Sequence, residues 1–310
     1  MKDEAKAREL SFTVPEELSG LRLDKGIAEY YEEISRSRIA GLIKDGGVSV
    51  NGKTAKASYS LEEGDSIYFA PPESEIPDIE PEDIPLDILY EDEGLLVVNK
   101  PKGMVVHPAN GHYTGTLVNA LMYHCKDLSG INGVLRPGIV HRIDKDTSGS
   151  VIVCKNDLTH RDVAEQLKVH SIDRKYRAVV WGRFNNDDGT VDIPIARDKK
   201  DRKKMKADPS GKRAVTHYRV LEAYKEFSYV ECSLETGRTH QIRVHMTHIG
   251  HPILGDEVYG SRKAKIHAKG QTLHAYFIGL LSPLTGERIE VTAPIPEYFE
   301  TILQKLRSMG

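Results

Sequence analysis

Cysteine is scarce in this chain: three in 310 residues, with no Cys-x-x-Cys pair among them. An odd, scattered set excludes a disulfide framework and a cysteine-rich zinc ribbon. Cys154 and Cys232 lie in apolar, strand-like runs, as reduced core thiols do. No apolar run reaches the roughly 18 residues of a membrane-spanning helix. The start, Met1-Lys2-Asp3-Glu4-Ala5-Lys6, is polar and of mixed charge, without the apolar centre of a secretory signal. These absences predict a cytoplasmic protein with no membrane partner. A P-loop and a dinucleotide-binding glycine fingerprint are both missing, which removes the usual cradles for nucleotides. There is one tryptophan, Trp181, although sugar-binding sites tend to be aromatic-rich.

Charge of one sign is missing from two stretches. Residues 72–94 hold ten acids and no Lys or Arg, whereas residues 196–214 hold nine Lys or Arg against three Asp. The net charge of −3 averages over both. The first stretch overlaps a proline-rich segment that cannot build a core, and residues 72–86 are assigned as an acidic interdomain linker. The second is either a solvated surface loop or a contact for a polyanion.

One stretch concentrates ionisable groups: His141-Arg142-Ile143-Asp144-Lys145-Asp146-Thr147-Ser148-Gly149. The apolar run Ile139-Val140 precedes it, and Val151-Ile152-Val153-Cys154, which reads as a buried strand, follows. Unpaired charge beside a core is costly, so Asp144 and its neighbours are a candidate site. His141-Arg142-x-Asp144 has the flavour of a kinase catalytic loop, but the Asp is one place late and no Asp-Phe-Gly follows. His245, His248 and His251 recur every three residues without interleaved acidic or cysteine ligands, a poor match to a metal motif. The cysteines lack activating neighbours, which speaks against a Cys–His nucleophile. Glycosidase-like chemistry with a carboxylate nucleophile remains open; Asp144 and Asp146 are both acids, but their spacing does not require them to converge on one bond.

The N-terminal part reads as a small module. Leu23, Ile27 and Tyr30 fall at helical spacing; Ser35 offers an N-cap to a second helix with Ile39, Leu42 and Ile43 on one face. Val48-Ser49-Val50-Asn51-Gly52-Lys53 carries the strongest short hairpin signal. Arg22, Lys25, Arg36 and Arg38 lie along the two helices. A helix pair with basic residues can grip a phosphate backbone, although solvated side chains on an ordinary small domain fit the same pattern.

Two resemblances narrow these readings. The runs Leu21-Arg22-Leu23-Asp24-Lys25, Ser35-Arg36-Ser37-Arg38, Val48-Ser49-Val50-Asn51-Gly52 and Glu63-Gly64-Asp65 resemble the RNA-binding module shared with ribosomal protein S-four, the alpha-L motif. The stretch 141–149 resembles the signature of RluA/RluD-type pseudouridine synthases, with Ile143 where Leu is commoner. Supporting runs follow in the same order: 97–108, Lys175-Tyr176-x-Ala178, Thr236-Gly237-Arg238-Thr239-His240-Gln241-Ile242-Arg243-Val244-His245, and His251-Pro252-Ile253-Leu254-Gly255-Asp256-x-x-Tyr259-Gly260.

The resemblance implies an α+β fold: a mixed, mostly antiparallel sheet with flanking helices, plus the small N-terminal α+β module. The implied divisions are a tail at 1–15, the module at 16–71, the linker at 72–86 and a catalytic domain at 87–310. It implies isomerisation of uridine to pseudouridine in RNA, foremost ribosomal RNA of the large subunit. Such an isomerisation needs no cofactor and no metal, and the expected state is a monomer. Asp144 matches the family's catalytic aspartate and Tyr176 its active-site tyrosine, able to stack on uracil and relay the proton lost from C5. A carboxylate attacks in its ionised form, which a guanidinium favours; Arg243 is the candidate partner and Arg238 the runner-up. Arg142 is placed to fill the gap left by a flipped base, or else to pair with Asp146. Arg238 and His240 join Arg142 as candidate RNA contacts, and Thr147-Ser148-Gly149 is expected to turn the loop. The rival reading is a catalytically silent RNA-binding or ribosome-assembly factor.

Overall fold

The computed structural model describes residues 10–31, 36–69, 79–108, 112–126, 128–131, 136–198, 200–201, 204–260, 266 and 268–309. The side chains of Ser37 and Arg38 and the expected N-cap Ser35 lie outside the described residues. The chain divides into two compact units, 1–76 and 77–310.

The first unit contains β1 (Leu10–Thr13), α1 (Leu23–Tyr30), α2 (Arg36–Lys44), β2 (Val48–Val50), β3 (Lys53–Thr54) and β4 (Ser66–Phe69). Its strands form one antiparallel sheet in the order β1-β4-β2-β3. Asn51 and Gly52 both take positive φ, 51° and 74°, as a two-residue hairpin turn between twisted strands requires. Leu23, Ile27, Ile39, Leu42 and Ile43 close over the sheet with Ile67 and Phe69 as one core. Residues 10–15, expected as part of a tail at 1–15, belong to this module. β1 pairs with β4, and Phe12 and Val14 are buried, because their alternation with polar residues suits a half-buried strand.

The second unit comprises β5 (Ile88–Glu91), β6 (Leu95–Lys100), α3 (Leu117–His124), β7 (Ser148–Cys154), α4 (Asp157–Lys168), β8 (Asp173–Trp181), β9 (Asp188–Asp192), β10 (Ile195–Arg197), β11 (Met205–Ala207), β12 (Val215–Ala223), β13 (Phe227–Leu234), α5 (Gln241–His248), β14 (Leu273–Leu281), β15 (Arg288–Thr292) and α6 (Glu297–Ser308). Nine strands form one sheet in the order β5-β6-β7-β14-β8-β13-β12-β9, with β15 on β14. Among the described residues only the β7–β14 pairing in that sheet is parallel. All seven residues of β7 are buried, which is why this strand reads as a continuous apolar run. Leu95 to Val98 of β6 are fully buried beside it, each stabilising the fold by about 1.5–3 kcal/mol. Gly149 lets β7 and β14 meet: its φ is +109°, and a Cβ there would lie 2.2 Å from the Ala275 oxygen.

Three local expectations are corrected. Residues 79–86, assigned to the linker, lie on the second unit. Ile79 is buried in its core, the Asn119 Nδ2 donates to the Glu80 carbonyl at 2.9 Å, and the Glu82 amide donates to the Asn119 carbonyl at 3.0 Å. Ile79 and Leu86 supply apolar anchors among the acids, and Asn119 satisfies the backbone. The basic stretch 196–214, read as a surface loop, contributes to the β10–β11 ribbon. Finally, the turn is Asp144–Thr147, closed by the Thr147 amide on the Asp144 carbonyl at 3.1 Å, while Ser148 and Gly149 already belong to β7.

Candidate active site

Asp144 sits on the loop that runs from Ile139, bridged to Val153, into the buried end of β7. The loop is held from beneath by Lys100. Its fully buried ammonium donates to the carbonyls of Pro101, Met104 and Lys145 at 2.9, 2.8 and 3.0 Å. Burial pulls the Lys100 pKa down to about 7, against the opposing field of Asp146 and Asp144. The Gly103 amide donates to the same Lys145 carbonyl at 2.9 Å.

Arg243 occupies the first turn of α5 and faces Asp144. Its Nη1 donates to Asp144 Oδ2 at 2.8 Å, and its Nε and Nη2 grip both oxygens of Asp256 at 2.7 and 2.9 Å. A planar fork between two carboxylates fixes the guanidinium in place. Burial works against the Arg243 charge, but Asp256 and Asp144 outweigh it and raise the pKa. The Asp256 side chain is fully buried and its pKa is lowered against desolvation, chiefly by Arg243 and by the amides of Tyr259 and Val258. The Tyr259 ring lies under the Arg243 guanidinium, 5.1 Å away.

The Thr-Gly-Arg-Thr segment before α5 is locked by Gln241. Its Oε1 accepts from Thr236 Oγ1 at 2.7 Å and from the Arg238 amide at 2.9 Å, and its Nε2 donates to the Val215 carbonyl at 2.9 Å. His240 caps α5 with left-handed backbone, φ 56°, sparsely populated for a residue with a Cβ. Its Nδ1 is hydrogen-bonded to the Tyr259 hydroxyl at 2.8 Å, and its Nε2 lies 3.7 Å from Asp144 Oδ1. Desolvation lowers the His240 pKa although Asp144 opposes it.

These groups line one cavity of about 610 Å³, in the ordinary range for a small-ligand site. Asp144, Tyr176, Arg243, Arg142, Arg238 and His240 all reach it, and Asp144 is the one carboxylate in its wall among the described residues. Tyr176 comes from the middle of β8, inward-facing and almost fully buried; burial raises its pKa, so the phenol keeps its proton. Arg243, and not Arg238, pairs with Asp144; Arg238 Nε donates instead to the Arg213 carbonyl at 2.9 Å. Arg142 is exposed, and its Nη1 donates to His107 Nε2 at 3.4 Å. Burial and the charges of Arg142 and Arg136 depress the His107 pKa to about 4, which leaves it a neutral acceptor. Asp146 does not line the cavity. It packs against Gly270, so the two carboxylates of the loop do not converge on one bond.

The other candidates are elsewhere. In the first unit Arg22 and Arg36 both bind the Asp24 carboxylate, at 3.0 and 2.9 Å, and Lys25 is exposed. Two of the recurrent histidines, His245 and His251, make structural hydrogen bonds, and His248 is exposed. His245 is bonded to Thr216 Oγ1 and the Ile193 carbonyl, and His251 to the Trp181 carbonyl. Sequence reasoning alone gives no role to Asp256, Tyr259 or Lys100. All three belong to the ordered motif runs, and that membership is the available signal.

Known proteins share this organisation. The family model described as RNA pseudouridylate synthase matches residues 94–248, and the model of the S4 domain matches residues 21–67. An uncharacterized RNA pseudouridine synthase of Bacillus subtilis is 53% identical over 302 residues, covering 97% of this chain and 99% of its own length. Ribosomal large subunit pseudouridine synthase D of Zymomonas mobilis is 48% identical over 95% of this chain and 96% of its own. The solved human protein RNA pseudouridylate synthase domain containing 4 aligns with a TM-score of 0.56 at 28% identity, over 71% of this chain and 92% of that one.

Proposed function

The chain belongs to the RNA pseudouridine synthase family, and from that premise we propose that it isomerises specific uridines of large-subunit ribosomal RNA, with Asp144 as nucleophile on a flipped-out base. The relatives named for the large ribosomal subunit support the substrate. One observation carries the assignment of Asp144: among the described residues it is the single carboxylate in the cavity wall, aimed there by a guanidinium that a second carboxylate holds from behind.

The uridine enters as an extruded nucleotide, because its glycosidic bond is unreachable inside folded RNA. Asp144 acts on the ribose as the N1–C1′ bond opens. The uracil turns within the cavity, the C5–C1′ bond forms as Asp144 is released, and the proton that C5 loses is balanced by the one that N1 gains. The Tyr176 ring stacks on the base, and its hydroxyl, kept protonated by burial, relays that proton. Arg142, exposed at the rim and tethered to a neutral His107, enters the stack the base has left. Atoms and electrons balance within the substrate, so no cofactor or metal is part of the proposal. We further assign a module through residue 71 that holds RNA, a catalytic domain that includes residues 79–86, and a monomeric, cytoplasmic protein. Among the described residues no helix is long and apolar enough to cross a membrane.

Pseudouridine mapping of all RNA from cells lacking the gene tests this directly. The expected result is loss of a small number of sites, all in large-subunit ribosomal RNA. A map identical to that of the parent cells contradicts the function, and losses confined to transfer RNA contradict the substrate.

A further inference from the structure

A cation without an anion is buried in the cavity wall. Arg174 is 7% exposed and reaches the cavity from β8. Its Nη2 donates at 3.1 Å to a neutral acceptor, the Glu235 carbonyl, and its Nε has no partner among the described residues. No ion pair among the described residues includes it. Arginine does not shed its proton at ordinary pH, and a buried charge without a counterion is costly. The neighbours offer none. Tyr176 stays a neutral phenol, and His141 is a neutral imidazole whose Nε2 accepts from the Ile152 amide at 2.9 Å. Asp144 is taken by Arg243.

The rest of the wall deepens the imbalance. Arg136, Arg142, Lys168 and Arg238 line the same cavity against the one carboxylate. Space is also reserved for the guanidinium: a Cβ on Gly237 would lie 2.6 Å from Arg174 Nη1. Arg174 and Tyr176 are two residues apart on one strand and both face inward, which separates them by about 7 Å. A nucleotide stacked on Tyr176 therefore brings its own backbone towards Arg174.

We propose that Arg174 binds a non-bridging oxygen of the RNA phosphodiester adjoining the target uridine, and so gains its counterion only when substrate is seated. This rests on the reading that the cavity takes a uridine of RNA. It assigns to Arg174 a contact that carries no base information and fixes the depth of the inserted nucleotide.

The test uses the full chain and a stem-loop RNA built around a uridine that the mapping identifies, with one methylphosphonate placed on the 5′ or the 3′ side of that uridine. For the wild type, one of the two neutral linkages is expected to lower kcat/KM about 10-fold, mostly through KM. Arg174→Gln is expected to show a similar loss on the all-phosphate RNA and little further loss on that methylphosphonate RNA. Arg174→Lys should recover part of the loss and part of the sensitivity, and it serves in place of Arg174→Gln if that variant does not fold. Losses that multiply at both linkages overturn the proposal, as does an Arg174→Gln enzyme with unchanged KM. Competition by inorganic phosphate at millimolar concentration equal to that by a short RNA would assign the site to a free anion and also overturn it. If the wild type forms no pseudouridine in the unmodified RNA, it is the underlying reading that fails.

Discussion

Each unit contains a charge triad, and the two are inverted. In the first, the Asp24 carboxylate holds two arginines, Arg22 at 3.0 Å and Arg36 at 2.9 Å. In the second, the Arg243 guanidinium holds two aspartates, Asp144 at 2.8 Å and Asp256 at 2.7 Å. Hydration separates them. The Arg22 and Arg36 side chains are 54% and 53% exposed, whereas Arg243 is 6% exposed and Asp256 fully buried. Wet guanidinium groups exchange one anion for another at little cost, which suits reversible phosphate contacts. A dry guanidinium clamped on one side by Asp256 cannot wander, and it presents Asp144 to the cavity in one geometry.

The sharpest way to break this comparison is to remove the buried acid of each triad. Asp256→Asn leaves Arg243 half-paired in a dry site and is expected to cost the second unit about 3–5 kcal/mol. It should also lower kcat by about 100-fold through misplacement of Asp144. Asp24→Asn should cost the first unit only about 1 kcal/mol, since its partners are solvated. Trp181 fluorescence in urea reports the second unit, and hydrogen exchange reports the first. Equal costs would show that hydration does not distinguish the triads.

A smaller contrast appears in acid. Burial depresses His107 and His274 to about 4 and His141 to about 3, from an ordinary value of 6.5. Between pH 6.5 and about 4 the unfolded chain binds protons that these folded histidines refuse. The second unit therefore loses stability as pH falls through that window, by up to about 3 kcal/mol per histidine. Residues 1–76 contain no histidine. Hydrogen bonds to Asp24 and Asp65 outweigh their desolvation and hold both below 3.8, so that stabilisation is lost only as pH falls below that value. Hydrogen exchange across a pH series should show the second unit opening first; loss of the first unit at pH 5 would contradict the account.

The smallest effect is on RNA binding. Replacing Arg22 and Arg36 by Gln together should lower the slope of log affinity against log salt by about 2 for structured ribosomal RNA. An unchanged slope would remove both arginines from the RNA surface.

How much of this was legible in the sequence depends on the distance over which each feature is encoded. Asn51-Gly52 and the run Val151–Cys154 are local signals, and both appear as a hairpin turn and a buried strand. The order of the motif runs brought Asp144, Tyr176 and Arg243 into one candidate site, and the fold brings all three to one cavity. The clamp by Asp256 was not legible, because nothing in residue type says that a side chain 13 positions away turns back onto Arg243. Residues 79–86 depart from their linker-like composition for a related reason. Their composition is that of a solvated linker, and what pins them is the Asn119 side chain, 39 residues from Glu80. The pair Ser148 and Gly149 looked like a turn, but Gly149 serves the close approach of β14.

The most direct test of the central claim is to return the Asp144→Asn variant to cells lacking the gene and map pseudouridine in their large-subunit ribosomal RNA, with RNA affinity of the purified variant measured in parallel. The substituted amide keeps the shape of the side chain but not the nucleophile. The missing sites are predicted to stay unmodified, a loss of about 10⁴-fold or more, while RNA affinity stays close to that of the wild type. Restoration of those sites by the variant would contradict the role given to Asp144.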